Sequence, residues 1–254
     1  DSGGLWHERL GTPAQAGVQR FVLAACDDVT TPERRALCAA GVLSLTDAVK
    51  LVHQRGRYMS AAMANQTGKM AAVLGLEDLQ VRQLCEQVVA ANPAAIVSPA
   101  NFNAVGQVVI AGNEMGVDLA CQQVAALGKK SVVLKVSVPS HCQLMAPATQ
   151  QLAAEFANVA FHAPSIPVIQ NRHARAELDI AAIKQALVEQ LNMPVLWSTT
   201  EQHLAEQQIS FQIECGSGNV LTNLAKRQAQ KIVTVATDKA SQLAVIKQQF
   251  ANYQ

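Results

Sequence analysis

The run from Lys69 to Val136 constrains the fold most, because four short apolar runs alternate with two helix-period segments in a fixed order. Lys69–Leu74 (KMAAVL) reads as a strand. Leu76–Ala91 reads as a helix, with Val81, Leu84, Cys85, Val88 and Val89 on one side. Ala95–Ser98 and Gly106–Ala111 are strands, Asn113–Gly128 is a helix closed by glycine, and Ser131–Val136 is a last strand. The order β-α-β-β-α-β is the ferredoxin-like arrangement, and here it interrupts something else. Between its middle strands, Asn101–Gly106 is long enough to be a lip over a cleft, or equally an ordinary Asn/Gly turn.

Beyond the insert the pattern alternates helix and strand. Ala146–Val159 is a helix, Ser165–Gln170 a strand, and Asp179 caps a helix to Leu191 that turns Ile183, Ala186, Leu187 and Leu191 inward. Strands at Gln208–Glu214 and Lys231–Ala236 are each followed by a helix, Val220–Arg227 and Lys239–Phe250. Such alternation argues for a parallel α/β sheet. The front is less regular: Gln19–Cys26 is its one plausible strand, and Asp27–Arg35 (DDVTTPERR) is polar and turn-like. Ala36–Val42 is helical in composition.

Half the residues are apolar but only 4% are aromatic, and the formal net charge is +1 with no basic block. That excludes a nucleic-acid or polybasic membrane surface. Charges or glutamines interrupt every apolar run, so no membrane span is expected. The six cysteines, Cys26, Cys38, Cys85, Cys121, Cys142 and Cys215, form no CxxC pair and no zinc spacing. They read as reduced thiols of a cytoplasmic protein.

Candidate chemistry gathers at a few residues. Ser44-Leu-Thr-Asp47 is a capping box, and the stripe Leu45, Ala48, Val49, Val52 continues to Arg55, Met59 and Met63, leaving Arg57 off it. A guanidinium on an apolar face needs a partner, which is either a structural ion pair or a bound carboxylate or phosphate. His141 follows the β-branched run at Val136–Val138, where a strand is expected to leave the sheet. Gln190 borders an apolar stripe, an odd place for an amide. Histidine as base, arginine for an acid and a glutamine carbonyl to orient the imidazole suit nucleophilic acyl transfer on an acidic substrate. Nucleophiles are poor: Ser140 and Cys142 flank His141 and point away from it, and Cys215 reads as a buried small hydrophobe. Gly216-Ser-Gly218 could cradle an anion but reads more simply as a turn. No metal motif and no dinucleotide glycine pattern is present.

From Ala36 almost to the C-terminus the chain resembles the bacterial malonyl-CoA:acyl-carrier-protein transacylase family. The resemblance rests on AAGVLSLTDAVKLVHQRGRYM, GKMAAVLGL, NFNAVGQVVIAG, VSVPSHCQLM, QLNMPVLW and GSGNVLTNLAKR, six stretches in the family's order. It implies an α/β fold, an α/β-hydrolase-like core at residues 1–65 and 138–254 carrying a ferredoxin-like insert at residues 66–137. It implies transfer of malonyl from malonyl-CoA to the phosphopantetheine thiol of acyl carrier protein in fatty acid biosynthesis. No cofactor is needed, malonyl-CoA being the substrate, and a monomer is expected. By the same resemblance His141 matches the catalytic histidine, Arg55 the malonate-binding arginine, and Gln190 the glutamine whose carbonyl orients the histidine. Malonyl transfer in polyketide synthesis or malonate decarboxylation, or a non-catalytic carrier-protein-binding remnant, would preserve the same residues.

Two departures stand out. The family's Gly-Gln-Gly-Ser-Gln strand end, which contributes to the oxyanion hole, has no counterpart, and neither has its nucleophile motif Gly-His-Ser-Leu-Gly. Counting back without gaps puts Thr30 at the serine position, inside Asp28-Val-Thr-Thr-Pro32, without the elbow glycines and with Pro32 set against a tight turn. Residues 1–35 are atypical in the way a shifted reading frame or a divergent paralogue would make them.

Overall fold

The computed structural model describes residues 23–24, 32–136, 138–229 and 231–251. Thr30 and Cys26, and the strand and turn expected across residues 19–31, lie outside the described residues apart from strand β1 (Leu23–Ala24). Helix α1 spans Pro32–Ala39, so Pro-Glu-Arg-Arg is helical and not a turn. Proline's fixed φ and missing N–H suit the first helical position, and Pro32 therefore marks a helix start. Helix α2 (Leu45–Ala62) begins as the capping box requires, with the Ser44 hydroxyl accepting from Asp47 N–H at 3.0 Å.

The insert comprises β2 (Gly68–Leu74), α3 (Asp78–Ala91), β3 (Val97–Ala104), β4 (Gln107–Asn113), α4 (Glu114–Ala126) and β5 (Lys130–Val133). Its strands form one sheet in the order β3-β4-β2-β5, every pairing antiparallel. Residue alternation divides the sheet's two faces. Ala71, Val73, Val108 and Ile110 pack under α3 and α4, while Met70, Val109 and Ala111 join the core built on α2. Gly112 has to be glycine, since a Cβ there would sit 1.8 Å from the Ile96 carbonyl oxygen.

Asn101–Gly106, read as a lip or equally as an ordinary Asn/Gly turn, is mostly strand. Asn101–Ala104 belong to β3, and the connection to β4 is the two-residue turn Val105-Gly106, with Gly106 at φ +70°. Register shifts between Pro99 and Asn101 and between Phe102 and Ala104 hid this strand from a strict alternation test.

Helix α5 (Ala146–Glu155) follows a short 3₁₀ turn, Gln143–Met145. The remainder is β6 (Val168–Gln170), β7 (Arg175–Ala176), α6 (Ile180–Glu189), α7 (Trp197–Glu206), β8 (Phe211–Glu214), α8 (Val220–Ala225), β9 (Val233–Ala236) and α9 (Ala240–Ala251). Among the described residues the expected parallel sheet is present in two pieces. β1 runs parallel to β6, which also pairs antiparallel with β7, and β8 runs parallel to β9. Helix α7 has no counterpart in the sequence reading. It buries Trp197, Thr200, Glu201 and Leu204, a helical spacing in which two of four inward residues are polar. The Glu201 carboxylate is accommodated by the Gln212 side-chain N–H₂ at 3.0 and 3.1 Å. No helix of the described residues is long and apolar enough to cross a membrane.

Candidate active site

Arg55 is buried, on a face that follows only part of the stripe that pointed to it. Leu45 and Val49 are 74% and 60% exposed, and the inward residues of α2 are Ala48, Leu51, Arg55 and Met59. Ala48, Arg55 and Met59 of the expected stripe are therefore inward, and Leu51 stands on that face where Leu45 and Val49 were expected. Arg57 lies off the face and bonds Gln54 on the surface.

His141 does not leave a strand directly. β5 ends at Val133, residues 134–136 and 138–140 add no strand, and His141 adopts a left-handed backbone, φ 63°. A residue at positive φ has to be held there by its surroundings. The C-terminal end of α6 does so from two sides. His141 N–H donates to the Leu191 carbonyl at 3.0 Å, and the ring Nδ1 meets the Gln190 carbonyl at 2.6 Å. A carbonyl can only accept, so Nδ1 carries a proton, and the tautomer that fits this contact has its lone pair on Nε2. Carbonyls past the last turn of a helix lack intrahelical partners, which is why they are available here.

Gln190 thus contributes through its main chain. Its side chain is buried, and its Nε2 has no hydrogen-bond partner among the described residues. The odd amide and the orienting carbonyl belong to one residue but are separate features of it.

Arg55 and His141 line the same cleft, of about 520 Å³. Met59, Met70 and Val109 give it an apolar lining, to which Val220 and Leu224 of α8 also contribute. Polar groups that no sequence signal identified also face it: Asn101, Asn103, Gln107 and Lys135. Asn101 and Asn103 fall in the stretch read as a lip or a turn, and Gln107 opens β4 directly after it. Gln107 Oε1 accepts from Arg227 at 2.8 Å, and Gln228 Nε2 donates to the Asn103 carbonyl at 2.9 Å, so the rim is tied to the end of α8.

The weaker candidates separate. Ser140 lines the cleft beside His141. Cys142 is buried and its thiol donates to the Pro139 carbonyl at 3.2 Å; burial pushes its pKa up to about 11, which leaves it inert. Cys215 is exposed, not buried, because it opens the turn that ends β8. The N–H groups at the start of the helix after the glycine turn already have an acceptor. The Glu214 carboxylate already accepts from the N–H groups of Leu221 and Thr222, at 3.0 and 2.8 Å, and closes the start of α8. Among the described residues no group of three or more His, Cys, Asp or Glu is placed to hold a metal ion.

Residues 32–248 match the acyl transferase domain family. The malonyl CoA-acyl carrier protein transacylase of Escherichia coli strain K12 is 43% identical over 213 residues, 84% of this chain and 68% of that protein. The crystal structure of malonyl-CoA:acyl carrier protein transacylase from Xanthomonas oryzae pv. oryzae superposes with a TM-score of 0.84 at 42% identity, covering 97% of this chain and 75% of the other. A malonyl-transacylase in complex with its type II PKS acyl-carrier protein gives the same TM-score at 35% identity, covering 97% and 76%. The two cleft-lining side chains, the ferredoxin-like subdomain and these similarities agree, and the chain belongs to the acyl transferase family, among the malonyl CoA-acyl carrier protein transacylases.

Proposed function

We propose that the cleft receives malonyl-CoA and serves malonyl transfer to the phosphopantetheine thiol of acyl carrier protein, in fatty acid biosynthesis. The observation that carries this is the meeting of Arg55 and His141 in one cleft, with the imidazole locked by the Gln190 carbonyl. Arg55 is assigned the malonyl carboxylate: a preorganised planar fork matches two carboxylate oxygens and discriminates against acetyl groups. His141 Nε2 is assigned general base. A hydroxyl attacks the thioester carbonyl, a C–O bond forms, the C–S bond breaks, and the proton taken by Nε2 passes to the coenzyme A thiolate. The carrier thiol then attacks the ester, and the proton returns to the hydroxyl along the same path.

We assign the core to residues 1–65 and 138–254 and the insert to residues 66–137, with the cleft between them. The chain is taken to act as a monomer in the cytoplasm without a cofactor. The hydroxyl is the weak link. Thr30 holds the serine register, and that register lies between a strand parallel to β6 and the start of α1, the order a nucleophile turn needs. Its β-methyl and the missing elbow glycines argue against it. With threonine in the serine register, malonyl-CoA binding is assigned in full and the transfer step a low rate. Incubation with malonyl-CoA, intact-mass analysis and calorimetric titration test this. Binding without a stable adduct supports the assignment, an adduct on Thr30 makes it an active enzyme, and absence of binding overturns the function. Resequencing the codons for residues 1–36 shows whether Gly-His-Ser-Leu-Gly stands in another frame.

A further inference from the structure

Helix α2 carries Arg55 on its buried face and Tyr58 almost one turn further on. The Tyr58 hydroxyl donates across to a carboxylate oxygen of Glu155, the last residue of α5. A carboxylate at a helix C-terminus faces the negative end of the macrodipole, so its own helix disfavours Glu155 there and a donor from outside offsets that. The contact joins segments 97 residues apart. One carries Arg55, and the other continues from His141 through the short Gln143–Met145 turn. The hydrogen bond to Glu155, and then partial burial, raise the tyrosine's pKa above its ordinary value, so the hydroxyl remains a donor at neutral pH.

Beneath this tie the two helices pack through Ala48, Leu51, Ala148 and Leu152 in one core cluster. Apolar packing sets their separation but is non-directional, whereas a hydrogen bond has an angular preference. The tie therefore selects one rotation of α2 about its axis. With a helix about 10–12 Å across its side chains, a turn of about 10° moves a group on its rim by about 1 Å. Two-point recognition of a carboxylate does not tolerate that displacement.

We propose that Tyr58 and Glu155 are positioning residues that hold α2 in the rotation at which Arg55 meets the carboxylate of a malonyl thioester. This rests on the assignment of Arg55 to that carboxylate. Neither residue touches substrate; both act through Arg55.

The test is calorimetric titration of the whole chain with malonyl-CoA and with acetyl-CoA. The set is wild type, Tyr58→Phe, Glu155→Gln, Arg55→Ala and the Tyr58→Phe/Arg55→Ala double variant. Tyr58→Phe should weaken malonyl-CoA by about three- to tenfold, the range of one lost hydrogen bond, and leave acetyl-CoA affinity unchanged. Glu155→Gln keeps an acceptor and should retain most of the malonyl-CoA affinity. In the Arg55→Ala background, Tyr58→Phe should have no further effect. Equal weakening of both ligands means that the pair is only structural, and overturns the proposal. So does an unaffected malonyl-CoA affinity in Tyr58→Phe while Arg55→Ala loses it. If Arg55→Ala itself leaves malonyl-CoA affinity unchanged, the assignment of Arg55 fails first and the positioning role falls with it. If Tyr58→Phe does not fold, Glu155→Leu carries the same comparison.

Discussion

Replacing Gln190 with methionine separates the two features of that residue. The His141 ring is held by the main-chain carbonyl of residue 190, which every substitution retains. The side chain is 1% exposed, and its buried Nε2 has no partner among the described residues. An orphaned buried donor costs about 1–3 kcal/mol, and a volume-conserving apolar replacement costs less than about 1.5 kcal/mol in repacking. The expected net result is a stabilisation of about 1 kcal/mol, or roughly 2–4 °C in Tm for a chain of this size. Thermal unfolding measures that change, and nitrogen NMR of the imidazole reports the tautomer. Gln190→Met should keep His141 protonated on Nδ1. Destabilisation by more than about 2 kcal/mol would mean that the amide has a partner and is not an orphan. A changed tautomer with intact stability would refute the assignment of the orienting role to the main chain.

Arg55→Ala should cost malonyl-CoA about 2–5 kcal/mol of binding, the usual loss on truncating one partner of a buried charge pair, and acetyl-CoA far less. Arg55→Lys should rescue little, because a point charge does not reproduce the fork; titration calorimetry reads both. Cys215 is exposed, whereas burial pushes the thiols of Cys85 and Cys142 to about 12 and about 11. Alkylation mapped by mass spectrometry should therefore label Cys215 in the folded chain and reach Cys85 and Cys142 only on unfolding. Burial also raises the Glu201 carboxyl above the usual range, so the folded chain holds that proton more tightly than the unfolded one. Its contribution to stability is fully present below the ordinary carboxyl range and is lost as pH rises through the folded value. Glu201→Gln, which leaves Gln212 an acceptor, should flatten that slope in denaturant midpoints measured across pH.

The insert was legible because its information is local. Strand and helix periods, the closing glycine and the capping residues each act within a few positions, and residues 69–136 satisfy them in sequence. The same holds for the α2 cap and for the inward face of α6, where Ile183, Ala186, Leu187 and Leu191 are all buried. Arg55 and His141 were found by position and by resemblance, yet their surroundings were not. The stripe through Leu45 and Val49 is exposed, because composition alone does not say which of two adjacent helix faces meets the core. Helix α7 escaped notice because its buried Thr200 and Glu201 break the hydrophobic period, and the group that tolerates Glu201 comes from Gln212 on a different element. No sequence pattern distinguishes a main-chain carbonyl from its own side chain, so only packing of α6 against the His141 turn decides which part of Gln190 holds the ring. The cleft was settled the same way. Asn101 and Asn103 of bulged β3 line it beside Gln107 of β4, and α8 joins the lining from more than 110 residues beyond Gln107, by tertiary contacts that no local rule encodes.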